Sequence, residues 1–180
     1  MLMSTTKKIT RSAMMVALGT SLMVFGVYID FAEMLDLSLC AIASLLVVFV
    51  FLEIGSYYPW LVWICTSVAT VLIVPQKPIW AEYLLVFGIY PLIKAYIERL
   101  PKWSWLLVKL VYINATVWAI FFITELLIGQ NFFFEEGQLL LSIITYILVN
   151  VAFVAYDMYI IVMVRFYFAK LRPRFAKFLK

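Results

Sequence analysis

Long apolar runs follow one another along almost the whole chain, and the short breaks between them hold Gly, Pro or charged residues. A helix needs roughly 20 apolar residues to cross a bilayer. Because 67% of the 180 residues are hydrophobic and only 13% are charged, the chain has too little polar surface for a water-soluble domain. The sequence therefore predicts a single all-α integral membrane domain over residues 1–180, folded as a six-helix transmembrane bundle. The predicted helices cover about residues 9–29, 37–54, 58–74, 79–98, 103–128 and 138–168.

The distribution of lysine and arginine sets the orientation of this predicted bundle. If the N-terminus lies inside, thirteen of the fourteen basic residues fall on the cytoplasmic side, and only Lys77 falls outside. We therefore predict a multi-pass protein of the cell membrane whose N- and C-termini are both cytoplasmic.

The two ends of the predicted bundle differ in their chemistry. Acidic residues gather near the outer ends, which indicates either a vestibule that attracts cationic ligands or loops that simply lack Lys and Arg. At the inner end, the tail of residues 169–180 alternates basic residues with Phe and Leu. This pattern is typical of an interfacial extension on anionic membrane lipid, and no nucleic-acid partner is expected.

The sequence offers little for catalysis. It contains no histidine, and its two cysteines fall inside predicted spans without CxxC spacing, so the commonest general base and the usual zinc ligand patterns are missing. The chain also lacks a GxSxG motif, a phosphate-binding GxxxxGK[ST] loop and a second deep aspartate to partner Tyr156-Asp157. We predict that the protein is not an enzyme and that it binds neither a metal nor a cofactor.

Ionisable residues inside the predicted spans form a candidate network, because charge in hydrocarbon is costly unless it is paired. In the cytoplasmic half, we expect Asp157 to pair with Lys94 or Lys109. The network is either an ion-paired lock or part of a proton or substrate path, and both interpretations stay open. Its predicted members, with two asparagines for interhelical hydrogen bonds, are Glu53, Lys94, Lys109, Asn114, Asn150 and Asp157.

The fourth predicted helix carries both a breaker and an aromatic stripe. Pro91 removes a backbone hydrogen bond and predicts a kink, and Gly88 either permits close approach of a neighbour or opens a cavity. The kinked helix would either line a pocket or form a packing bend. Helical spacing places four aromatic side chains on one face, where they would either stack a planar ligand or pack in the core. These residues are Trp80, Tyr83, Phe87 and Tyr90.

The first predicted helix begins with small residues where lipid-facing helices usually carry Leu or Ile. Ala13 and Ala17 lie four residues apart, with Gly19 close by. Such a smooth face lets two membrane helices touch backbone to backbone. The pattern predicts a docking surface for another helix, either of a partner or of the same bundle.

The basic N-terminus, the AxxxA start of the first helix, six predicted spans and about 180 residues together resemble the substrate-binding S components of energy-coupling-factor vitamin transporters. This resemblance implies that Ala13, Ala17 and Gly19 dock on a transmembrane coupling subunit bound to two ATPases. It further implies a small-molecule site near the outer side, formed by Asp30, Glu33, the aromatic stripe and Glu125. The chain departs from the family in its short first loop and its few polar pocket residues. The segment FGIYPLIKAYIERL followed by KLVYIN is also similar to a group of small bacterial membrane proteins.

The first hypothesis from these features is that the protein is a substrate-capture subunit for uptake of a small nutrient or vitamin. A non-transporting scaffold or accessory subunit of another membrane complex is the alternative, and it predicts no small-molecule ligand. A proton-coupled carrier is the third, and it requires Asp157 or Glu53 to change protonation.

Overall fold

The computed structural model describes residues 4–28, 36–75, 79–128 and 139–173. Over these residues the chain is helical and contains no strand, so the all-α prediction is confirmed for this part. The α-helices are α1 (Thr5–Tyr28), α2 (Asp36–Glu53), α3 (Tyr58–Ile73), α4 (Ile79–Glu82), α5 (Tyr90–Ile97), α6 (Lys102–Ile128) and α7 (Leu139–Phe166). Two π-helical turns, Tyr83–Phe87 and Tyr167–Leu171, follow α4 and α7.

The chain divides into two compact units, residues 1–135 and residues 136–180. Helices α1 to α6 belong to the first unit, and α7 with its π-turn forms the described part of the second. The single bundle predicted over residues 1–180 stays a prediction.

Within the described parts of the chain, three helical segments are long and apolar enough to cross a membrane: Thr5–Gly26, Lys102–Ile123 and Ile143–Leu171. Two shorter apolar helical segments are Leu37–Glu53 and Tyr58–Ile73. Large apolar side chains lie exposed on the long helices, including Phe25, Trp118 and Leu140. Exposed apolar area on this scale is typical of a surface that contacts lipid or another protein.

Helix α2 lies at the centre of the first unit, where it contacts α1, α3, α4 and α5. Its buried side chains Cys40, Ala43, Val47 and Val50 are fully covered. These positions recur every three or four residues, which places them along one stripe of the helix. Helices α1, α3, α4 and α5 therefore pack around α2, whose buried stripe supplies the apolar contacts.

Among the described residues of this unit, buried apolar side chains form two clusters. One joins Met23, Cys40, Ala43, Ile79 and Tyr83. The other packs Val47, Val50, Tyr58, Val62 and Leu92 together. Because each cluster draws on α2 and on the segments before and after it in the chain, non-local apolar contacts hold the unit together.

A tight turn joins α2 to α3. Gly55 and Ser56 both adopt left-handed backbone conformations, with φ of 65° and 58°. Pro59 then lies in the first turn of α3, where its missing N–H leaves no helical hydrogen bond unmade. The Nζ of Lys8 lies 6.0 Å from the ring centroid of Tyr58, so the start of α1 lies beside the start of α3.

Candidate functional site

Part of the small-residue face of α1 is exposed, and part is buried. Ala13 and Ala17 are exposed, whereas Ser12 and Gly19 are buried. A Cβ added at Gly19 would lie 3.2 Å from Cγ2 of Thr66, so this glycine belongs to the contact between α1 and α3. Of the three residues predicted to dock a partner, the structure leaves Ala13 and Ala17 accessible and places Gly19 inside the unit.

The aromatic stripe predicted for the fourth helix lies largely in the core. Tyr83 is 1% exposed among the side chains around Met23 and Ala43, and Phe87 packs against the same cluster. Tyr90 is fully buried and stacks on Tyr112 of α6 with ring centroids 5.7 Å apart. These contacts correspond to the core-packing interpretation of the stripe.

Trp80 and Glu125, two further residues predicted to bind ligand, are not members of this core cluster. Trp80 is half-buried, and its Nε1–H donates to the carbonyl oxygen of Pro75 at 3.3 Å. Glu125 is exposed near the end of α6. Asp30 and Glu33 lie outside the described residues, so their predicted role in binding a ligand stays a prediction.

The fourth predicted helix is broken one turn before Pro91. The N–H of Gly88 donates to the carbonyl oxygen of Tyr83 at 2.7 Å, which closes a π-helical turn five residues wide. A new helix then starts at Tyr90, with Pro91 in its first turn. Proline is well tolerated there, so the expected kink becomes a break followed by a fresh helix start.

The break leaves two backbone carbonyls without their usual helical hydrogen bonds, and side chains from two other helices donate to them. In a regular α-helix the carbonyls of Leu84 and Leu85 would accept from the N–H groups four residues later. Here the Nε1–H of Trp63 in α3 donates to Leu84 at 3.0 Å, and the hydroxyl of Tyr112 in α6 donates to Leu85. Buried carbonyl groups of irregular backbone require such hydrogen-bond partners.

Gly88 allows this arrangement because no side chain would fit there. A Cβ at this position would lie 2.7 Å from Cδ1 of Trp63 and 2.9 Å from the ring of Tyr83. The sequence left close approach and a cavity open at Gly88, and the structure shows close approach of the rings of Trp63 and Tyr83.

Two buried lysines meet one glutamate where α5 ends and α6 begins. The Oε1 of Glu98 lies 3.0 Å from Nζ of Lys94 and 3.5 Å from Nζ of Lys109. The lysine side chains are 7% and 10% exposed, while that of Glu98 is 34% exposed. We call these three residues the lysine–glutamate cluster, and its geometry is that of an ion-paired lock between α5 and α6.

Aromatic rings flank both ammonium groups of the cluster. The Nζ of Lys94 lies 6.0 Å from the ring centroid of Tyr90, and that of Lys109 lies 5.9 Å from that of Trp105. Rings at this distance add a favourable cation–π interaction to the ion pairs.

Sequence reasoning missed Glu98 as a member of the charge network. Glu98 is the last residue of the predicted fourth helix (79–98), and its position four residues after Lys94 is a spacing that permits an ion pair on a helix. The ion pair with Lys109 joins residues eleven apart across a turn, which no local pattern indicates.

The remaining predicted members of the network lie on α2, α6 and α7. Asn114 and Asn150 donate from Nδ2 to carbonyls one turn earlier in their own helices, at 2.7 and 3.0 Å. Glu53 is half-buried at the end of α2, and Asp157 lies on α7 in the second unit. The predicted pairing of Asp157 with either lysine stays a prediction.

No group of three or more His, Cys, Asp or Glu residues suited to a metal ion occurs within the described ranges. No protein-family model, curated protein or solved structure matches the chain.

Proposed function

We propose that this protein is a multi-pass membrane subunit with six spans and cytoplasmic termini. It captures a small nutrient or vitamin outside the cell and delivers it with a separate coupling subunit and two ATPases. Three span-length helices, two shorter apolar helices and the thirteen basic residues on the predicted inner side support this membrane topology.

The main observation that supports this proposal is the accessible part of the small-residue face of α1. Ala13 and Ala17 lie one helical turn apart and are both exposed, bordered by the exposed side chains of Met14 and Leu18, while Ser12, Gly19 and Met23 are buried in the unit. Helix α1 thus uses one face for α2 and α3 and keeps a second, smooth face accessible. A smooth face of this kind suits close packing against a helix of another membrane protein.

The test is copurification in mild detergent from the native cell, with proteins and bound small molecules identified together by mass spectrometry. Wild type is compared with Ala17→Trp, and Ala115→Trp is the matched control because Ala115 is an exposed alanine on α6. Overpacking a helix contact costs about 1–3 kcal/mol, so Ala17→Trp should lower recovery of the coupling subunit and ATPases roughly tenfold or more. Recovery within about twofold of wild type is expected for the control.

Burial of the aromatic stripe favours a second candidate, the non-transporting scaffold or accessory subunit. Tyr83 and Tyr90 are occupied in core packing, and an accessory role needs no ligand site. The same experiment separates the two functions. A partner lost on Ala17→Trp without any ATPase or small molecule would favour the accessory subunit, and unchanged partners in Ala17→Trp would refute docking through this face.

A further inference from the structure

The end of α7 carries two aromatic side chains, each paired with a basic side chain four residues later. The Nζ of Lys170 lies 5.5 Å from the ring centroid of Phe166, and the guanidinium of Arg172 lies 5.4 Å from that of Phe168. All four side chains are exposed. We call these four residues the aromatic–basic ladder.

Charge in this part of the chain has one sign. After Asp157 the sequence contains no further acidic residue up to Lys180. The basic residues of this segment are Arg165, Lys170, Arg172, Arg174, Lys177 and Lys180. An anionic partner is therefore the one that matches this surface electrostatically.

The position of the ladder indicates which anion it meets. The apolar helical segment Ile143–Leu171 has the length and composition of a membrane span, and the ladder lies at its end. Aromatic and basic side chains at the end of a span lie at the level of lipid headgroups. Each ring holds its cation close to the helix surface, so the ammonium and the guanidinium are placed where phosphates lie.

We infer that the aromatic–basic ladder binds the headgroup of an anionic phospholipid. Lys170 and Arg172 supply the charge that the phosphate recognises, while Phe166 and Phe168 lie in the interface and orient the two cations. This inference concerns the second unit and does not depend on the docking function proposed for α1.

Native mass spectrometry of the whole protein tests the inference, with phosphatidylglycerol and phosphatidylcholine supplied in equal amounts. Wild type should retain phosphatidylglycerol preferentially. The double variant Lys170→Gln with Arg172→Gln should lose this preference by roughly fivefold for each cation removed. The variant Phe166→Leu with Phe168→Leu keeps both charges, and a loss of about two- to fivefold is expected for it.

Two controls separate the ladder from general charge and from free phosphate. Lys7→Gln with Lys102→Gln removes two exposed basic residues of the first unit, and the lipid preference should stay within about twofold of wild type. Excess inorganic phosphate should not displace the retained lipid. The inference would be overturned by an unchanged preference in the Lys170 and Arg172 variant, by an equal loss in the control, or by displacement with phosphate.

Discussion

Glu98 links two buried lysines of the first unit. Its carboxylate lies against two ammonium groups that are almost fully buried. Removing one partner of a buried ion pair costs more than the pair contributes, because the remaining charge stays desolvated. The ion pairs of Glu98 with Lys94 and Lys109 therefore join the end of α5 to α6.

Replacing Glu98 by Gln should destabilise the protein by about 2 kcal/mol, less than for a fully buried pair because Glu98 is partly exposed. The thermal unfolding midpoint in detergent measures this. Glu125→Gln is the matched control, since Glu125 is an exposed glutamate on α6, and we expect a change within about 0.5 kcal/mol for it. Equal shifts in the two variants would contradict the role assigned to Glu98.

At the scale of elements, the broken helix between Ile79 and Ile97 distinguishes this unit from a set of straight spans. Its π-turn is stable because Trp63 and Tyr112 supply hydrogen-bond donors from two other helices. Because Gly88 has no side chain, the rings of Trp63 and Tyr83 pack directly against the backbone at this break. The π-turn therefore depends both on these two hydrogen bonds and on the packing of the two rings at Gly88.

Gly88→Ala should cost about 1–3 kcal/mol, because the new methyl group forces Trp63 or Tyr83 to move. The better helix propensity of alanine offsets at most about 1 kcal/mol of this. Unfolding followed by tryptophan fluorescence measures the difference. A Cβ at Gly19 would lie 3.2 Å from its nearest side-chain atom, compared with 2.7 Å at Gly88. We therefore expect Gly19→Ala to lose less stability than Gly88→Ala. The reverse order of stability would show that the rings near Gly88 move aside at little cost.

At the scale of the whole molecule, topology is the property on which the proposed function depends. The basic residues predict an inner face that contains the N-terminus, the turn between α2 and α3, and the start of α6. Within the first unit, Lys8 lies beside Tyr58, which places two of these three segments together.

Labelling with a membrane-impermeant maleimide should report this topology. In a background with Cys40→Ala and Cys65→Ala, we expect Lys77→Cys to react in intact cells. Ser4→Cys and Ser56→Cys should react only after the membrane is permeabilised, since both lie on the predicted cytoplasmic side. Labelling of Ser56→Cys and Lys77→Cys from the same side would contradict the predicted span between them.

The sequence by itself determined the helical class and most of the helix positions, because apolar length and local breakers act within one segment. Predicted helix 58–74 and observed helix Tyr58–Ile73 illustrate this. Only the tertiary structure decided where the fourth helix breaks and which acid holds Lys94 and Lys109. The donors to Leu84 and Leu85 lie 21 and 27 residues away, and Glu98 meets Lys109 across a turn. Such contacts depend on how the helices pack, which no local spacing specifies.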